Sequence, residues 1–370
     1  MFHVYGFVPS LLFSQAIFEM PTLNKQVIFS KVPTDYPVAG EHICVQDSSI
    51  DLDAPLEEGQ FLIKLLALSV DPYMRNRMRD ASSQGYTSEF ILNEPMTGDT
   101  MNVVLKSNNI KYKEGDLVHG KTACGIFAQY AVISKEMEPM YEVENGPKST
   151  GLPITNYLGA LAITGLTGYV GLLKYGAPKK GETLYVSAAA GAIGQLVGQI
   201  GKVLGLRVVG SAGSDIKTKF LVEELGFDAA FNYKTAHTYT EKLKELCPNG
   251  IDIYFDNVGG KMLEAAINNF NNHGRIIGCG MISQYNGQEP EHVDNLIMII
   301  SKRLRFEGFV VFESLDMFES FRNDVTKWLL EGKIKYHETI FDGIELTPQA
   351  LVDMLRGKSI GKQLVKVADF

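Results

Sequence analysis

The stretch VSAAAGAIGQLVGQIGKVLG, residues 186–205, carries the clearest chemical signal in the chain. A β-type run leads straight into Gly191, Ala192, Ile193 and Gly194. An amphipathic helix follows, with Ile193, Leu196, Val197, Ile200, Val203 and Leu204 on its inner side. Glycines in such a turn let the backbone approach a pyrophosphate, whose charge sits on the unpaired N–H groups at the helix start. Gly198 and Gly201 leave room for the helix to press on a sheet. The pattern is G-x-x-G, with Ala189 where the usual dinucleotide fingerprint has its first glycine. Set between a strand and a helix, it predicts a dinucleotide site and not an empty turn.

The next strand decides which dinucleotide. It runs into Val209-Gly210-Ser211-Ala212-Gly213-Ser214, with no carboxylate at its tip to accept from a ribose 2′-hydroxyl. Lys217 follows one turn into the next helix, where a cation pairs with a 2′-phosphate. Asp215 falls at the expected N-cap of that helix. The reading is NADP(H) over NAD(H).

A metal finds no such support. The histidines (His3, His42, His119, His237, His273, His292, His337) show no ligand spacing with Cys44, Cys124, Cys247 or Cys279. Four scattered thiols also make a poor disulfide framework and read as small hydrophobes in a reducing compartment.

The elements that must position this chemistry have two textures. From about residue 25 to 153, short β-rich runs (61–70, 101–105, 116–119, 125–134) are broken by turn signals. From about residue 157 strand and helix alternate: helix 156–175, strand 183–188, helix 192–204, strand 206–210, helix 215–225 and a short strand at 230–232. Helix 238–246, strand 251–256, helix 261–271, strand 275–279 and strand 306–312 continue the alternation. That pattern predicts an α/β fold with a Rossmann-type, doubly wound parallel sheet beside a mostly β domain. The expected division is 20–155 plus 335–370 for the β-rich catalytic domain and 156–334 for the nucleotide domain. Residues 1–19 read as an N-terminal extension: they are apolar, broken by Gly6, Pro9 and Ser10, and lack the basic start of a secretory signal.

Composition closes off other classes. The 370 residues carry 35 Lys and Arg against 43 Asp and Glu, a net charge of −8, with no basic block to meet a phosphate backbone. No nucleic acid partner and no membrane span are expected, and the protein is expected in the cytoplasm.

Taken together, ordered blocks along nearly the whole chain resemble the zinc-independent branch of the medium-chain dehydrogenases/reductases that holds prostaglandin reductases and alkenal double-bond reductases. They include Ser69-Val70-Asp71-Pro72-Tyr73-Met74-Arg75, Thr164-Gly165-Leu166-Thr167-Gly168, Phe231-Asn232-Tyr233-Lys234 and Tyr254-Phe255-Asp256-Asn257-Val258-Gly259-Gly260. Cys279-Gly280-Met281-Ile282-Ser283-Gln284-Tyr285-Asn286, Gly308-Phe309-Val310-Val311 and Gly361-Lys362 complete the set. The zinc-dependent branch has an early Cys where this chain has Asp71-Pro72-Tyr73, and a Gly-His-Glu segment that is absent here.

The resemblance implies a GroES-like β domain and NADPH on Gly191, Ala192, Ile193 and Gly194. It puts Lys217 and Tyr233 near the 2′-phosphate and Asn257 near the ribose or pyrophosphate. Cys279, Ser283, Tyr285, Phe309, Val310 and Val311 then lie along the nicotinamide. Asn257 and Cys279 also close two expected parallel strands, where ligands of open α/β sheets bind. A family Asn near the C-terminus is Ser359 here, and an aromatic of some members is Ser301.

A metal-free NADPH site suits a conjugated alkene. Hydride goes to the β-carbon, and a donor aimed at the carbonyl oxygen steadies the enolate. Tyr285 is the expected donor and Tyr73 the expected pocket wall. The expected enzyme is an NADP-dependent 2-alkenal/enone reductase acting on a CH–CH group, with a small unsaturated carbonyl substrate. A quinone reductase and a non-catalytic NADPH-binding protein are the alternatives. The run 309–311 suggests a strand that pairs across a two-fold, hence a homodimer.

Overall fold

Near-continuous apolar runs make buried strands, and the chain sorts them into two large sheets. The computed structural model describes residues 21–370 except 81, 83, 84, 288 and 290, so the extension read at 1–19 lies outside the described residues. The first part contains β1 (Thr22–Phe29), β2 (Ile43–Ile50), β3 (Phe61–Ser69), α1 (Tyr73–Arg77), β4 (Thr97–Ser107), β5 (Leu117–Ile126), β6 (Tyr130–Ile133), β7 (Tyr141–Val143) and α2 (Gly146–Thr150). Then come α3 (Ile163–Val170), β8 (Thr183–Val186), α4 (Ala192–Val203), β9 (Arg207–Ala212), α5 (Asp215–Glu223), β10 (Ala229–Asn232), α6 (Tyr239–Leu246), β11 (Ile251–Asp256) and α7 (Gly260–Asn269). The last third holds β12 (Phe270–Gly278), α8 (Ile297–Lys302), β13 (Arg305–Gly308), α9 (Phe318–Leu330), β14 (Glu338–Asp342), α10 (Thr347–Leu355) and β15 (Lys362–Lys366).

Strands β10-β9-β8-β11-β12-β13 form a six-stranded sheet, parallel throughout. The order reverses between β8 and β11, which opens a crevice at the carboxyl ends of the strands. A second, mostly antiparallel sheet runs β14-β15-β3-β4-β5-β7, so the C-terminal strands β14 and β15 join strands from the start of the chain. β1 and β2 make a separate hairpin-like pair. Among the described residues, no helix is long and apolar enough to cross a membrane.

Helix α4 shows how the sequence fixes the packing. Leu196, Val197 and Ile200 are wholly buried against the sheet. Gly198 meets Phe227 so closely that a β-carbon there would stand 1.9 Å from the ring. Two buried amides on the same helix bind the returning chain from both sides. Gln195 donates to the His337 carbonyl (3.0 Å) and accepts from its N–H (2.9 Å), and Gln199 does the same with Lys335 (2.7 and 2.8 Å). These reciprocal pairs satisfy backbone groups of the returning chain that lie outside the regular strands. Gly361 adds a bridge to the phosphate turn, its N–H donating to the Ala190 carbonyl at 2.8 Å.

Four expectations are corrected. The long helix over 156–175 breaks at Gly159, whose backbone is non-helical, and only Ile163–Val170 is regular α-helix before a wider turn at 171–176. The strand over 125–134 splits because Phe127 leaves the ladder to bond the Val27 and Met96 backbones. The N-cap of α5 is Ser214, whose hydroxyl accepts from the Lys217 N–H; Asp215 is the first helical residue and accepts from the Asn232 amide. The strand expected at 306–312 ends at Gly308, because its neighbour β12 ends opposite it at Gly278. Phe309 and Val310 therefore lie beyond the sheet, and Val311 opens a tight helical turn.

Candidate active site

Every residue singled out as a site candidate lines one cleft of about 1320 Å³ between the carboxyl ends of the parallel sheet and the second sheet. The phosphate end is built by the β8–α4 turn. No side chain caps α4, so its first N–H groups are left to face the cleft. Gly194 has no space for a side chain, since a β-carbon would sit 2.6 Å from the Ala189 Cα. Ala188, just before the turn, takes a left-handed conformation (φ 46°), a strain that collects at functional turns.

A second cradle lies one strand over. A β-carbon on Gly213 would stand 2.8 Å from the Tyr233 hydroxyl, so only glycine leaves this gap open. Lys217 and Lys234 line it together, and burial with the neighbouring Lys234 lowers the Lys217 pKa. Its ammonium donates to the Gly357 carbonyl at 2.6 Å, close to Ser359 on the same wall. Two lysines forced together without a carboxylate between them are a donor set for a phosphate group. Orphan helix N–H groups at the α4 turn and two cations one strand over fit the pyrophosphate and the 2′-phosphate of a phosphorylated dinucleotide.

On the other side of the α4 turn, beyond the ends of β11, β12 and β13, lies the expected nicotinamide region. Asn257 follows β11 directly, its amide donating to the Ser187 carbonyl at 2.8 Å. Buried Asp256 shapes the turn after it, accepting from the N–H groups of Val258 (2.9 Å) and Gly259 (2.8 Å). Cys279 follows β12, its N–H on the Asp256 carbonyl, and burial pushes its thiol up to about 12. The Ser283 hydroxyl donates to the Val258 carbonyl at 2.6 Å. Phe309 stacks on Tyr175 with ring centres 4.9 Å apart.

The Tyr285 hydroxyl hangs over this floor, 3.2 Å from where a β-carbon on Gly280 would stand. Burial, then the nearby Tyr86 and Cys279, push its pKa up to about 12, while the Asn76 side chain partly offsets the rise. A phenol in that range keeps its proton at neutral pH and acts as a donor. Tyr73, first residue of α1, forms part of the opposite wall. Its hydroxyl is buried beside Arg77 without a well-aligned partner, and burial with Asp99 and Asp71 raises its pKa well above the ordinary value.

No functional role is read from the sequence for several other groups at the cleft. Asp71 forms a fully buried ion pair with Lys362 (2.8 Å) and accepts from Ser69 and Thr164. Asp99 is buried on β4 at the cleft wall, its pKa raised to about 7 by burial and Asp71. Tyr86, Arg77 and Lys234 also line the cleft. Asp71, Lys234 and Lys362 fall within the family blocks, but no role is read for them there; Asp99, Tyr86 and Arg77 fall outside those blocks. Ser301 is exposed on α8, away from these walls.

Comparisons with known proteins agree with this architecture. The family described as zinc-binding dehydrogenase matches residues 192–331, and an N-terminal domain of oxidoreductase matches residues 25–138. A 2-alkenal reductase (NADP(+)-dependent) of Nicotiana tabacum is 42% identical over 345 residues, covering 93% of this chain and 98% of that protein. (+)-Pulegone reductase of Mentha piperita is 39% identical, covering 94% and 99%. The crystal structure of CurA from Vibrio vulnificus in complex with NADPH superposes with a TM-score of 0.82 at 36% identity, covering 94% of this chain and 100% of that one. The first family is named for zinc, yet the residues here do not fit that ion. Among the described residues no three His, Cys, Asp or Glu side chains group to hold a metal, and Asp71 is committed to Lys362. The chain therefore belongs to the medium-chain dehydrogenases/reductases, in the branch that lacks the catalytic zinc ligands.

Proposed function

We propose that this chain reduces the C=C bond of α,β-unsaturated aldehydes and ketones with NADPH. The observation that carries the reading is the protonated Tyr285 phenol, held in the same cleft as the α4 N-terminus and the Lys217–Lys234 pair. Similarity to an NADP(+)-dependent 2-alkenal reductase and to a pulegone reductase supports the same chemistry. NADPH, when bound, supplies the hydride that reaches the β-carbon of the substrate.

The chain's own residues do the rest. The two lysines hold the 2′-phosphate and the α4 turn the pyrophosphate, and Asn257, Cys279, Ser283, Phe309, Val310 and Val311 wall the side of the cleft beyond that turn. Ser359 closes the edge beside Lys217. Tyr285 presents its Oη proton to the carbonyl oxygen, where negative charge collects as the double bond is reduced, and so stabilises the enolate. It keeps that proton as a hydrogen bond, since a phenol titrating near 12 is a poor acid at neutral pH. The α-carbon takes its proton from water or a relay.

The reading also places the enzyme in the cytoplasm as a homodimer. β13 is an edge strand, and next to it Ile297 and Ile300 on α8 stand exposed, an apolar margin suited to a second copy. The function is tested with enals, enones, their saturated counterparts and quinones, each assayed with NADPH and NADH. NADPH oxidation with enals and enones, and none with saturated carbonyls, is the expected result. Faster turnover of quinones overturns it in favour of a quinone reductase, and tight NADPH binding without turnover in favour of a non-catalytic protein.

A further inference from the structure

The substrate half of the cleft has an unusual charge inventory. Four cations line the whole cleft: Arg77, Lys217, Lys234 and Arg356. Lys217 reaches the carbonyl of Gly357, the residue after Arg356, and feels the like charge of neighbouring Lys234, so these three stand together at the 2′-phosphate cradle. Only Arg77 faces the substrate half, and its donors are already spent inside the protein. Its Nε donates to the Ser88 carbonyl (3.0 Å), Nη1 to the carbonyls of Thr97 (2.8 Å) and Ala123 (3.1 Å), and Nη2 to the Thr97 hydroxyl (2.9 Å). Its flat face covers the Phe90 ring at 4.0 Å. Beneath the floor, Lys362 gives its charge to Asp71. The residues outside the described set contain no Lys or Arg, so none of them adds a cation here.

Carboxyl side chains lie on the same half. Glu89, Glu94 and Glu136 line the cleft; Glu89 is paired with Arg79 at 3.6 Å, which leaves Glu94 and Glu136, and hydrogen bonds from Ser134 and its own backbone hold the Glu136 carboxyl below its ordinary range. Between them the wall is apolar and partly open to solvent: Tyr86 is 57% exposed, Ile91 70% and Met140 40%. Apolar groups left exposed around a cleft favour an apolar ligand. A ligand carboxylate entering here would lose water, meet no free donor cation and face like charges.

We propose that the enzyme selects uncharged, apolar enals and enones, and discriminates against unsaturated carbonyl compounds that carry a carboxylate. This rests on the reductase reading above. It concerns the electrostatics of the binding wall and not the hydride or proton steps.

The test compares one long-chain oxo-alkenoic acid with its methyl ester, the same enone with and without the charge, at saturating NADPH. The ester is expected to have a kcat/KM about tenfold or more above the acid's, with the difference mainly in KM. Added salt narrows the gap, because the exposed carboxylates are screened. The double variant Glu94→Gln/Glu136→Gln raises the acid relative to the ester, and Glu136→Lys alone does so as well. Acid and ester turned over within about twofold of each other, with no response to either variant, overturns this inference and leaves the reductase reading standing. Failure of both compounds to oxidise NADPH overturns both.

Discussion

At the scale of single residues, the site works by keeping protons and charges where water would not leave them. Burial pushes the Tyr285 phenol up to about 12, and the donor role proposed for it rests on its keeping that proton. Tyr285→Phe is expected to lower kcat on an enone about 100-fold while NADPH affinity stays close to wild type, measured by steady-state turnover and fluorescence titration. Lys217→Ala is expected to weaken NADPH by about tenfold and leave NADH unchanged, since only one of the two carries the 2′-phosphate. Asp99 makes a different prediction. Its folded pKa, about 7, lies above the ordinary carboxyl value, so the native state holds a proton that the unfolded chain has released. Stability from this group is therefore full below about pH 4 and falls as pH rises through about 7. Asp99→Asn keeps an acceptor for the Ala123 N–H and removes the titration. Its Tm gain over wild type is expected to be larger at about pH 8 than at about pH 5, and equal gains at both would contradict the assignment.

At the scale of elements, the phosphate turn and its helix are local and therefore legible. Strand, Gly191 to Gly194 and amphipathic face follow one another in sequence, and the structure keeps that order. The second half of the cleft was not legible in the same way. Asp99 comes from β4, Tyr86 from a loop and Arg77 from α1, and only the fold brings them together. The apolar run 309–311 read as strand, yet no neighbour extends far enough to pair with it. Ser214 and Asp215 are both good cap residues, so adjacency alone could not decide between them. The Ala188 backbone strain has no signature in an alanine. The α4 packing supplies a direct test. Gly198→Ala should cost about 1–3 kcal/mol in chemical denaturation, because a methyl there overlaps the Phe227 ring. Phe227→Leu should recover part of the loss in the double variant, and simple additivity would show that the two do not share the contact.

At the scale of the whole molecule, two sheets are held in register by a chain that starts in one, builds the other and returns. The Gln195 and Gln199 pairs and the Gly361 bridge tie that return to the phosphate turn, so the cleft walls are set by the same contacts that close the fold. The exposed apolar margin at α8 and β13 bears on assembly. The proposed homodimer predicts that Ile300→Lys shifts the native mass from two chains to one by light scattering, with the monomer still folded. The central claim, reduction of an activated C=C bond by NADPH, is tested most directly with cofactor deuterated at the transferable position. An enone should give the saturated ketone with the deuterium on the β-carbon and the carbonyl intact. Deuterium on the carbonyl carbon of an allylic alcohol would contradict it.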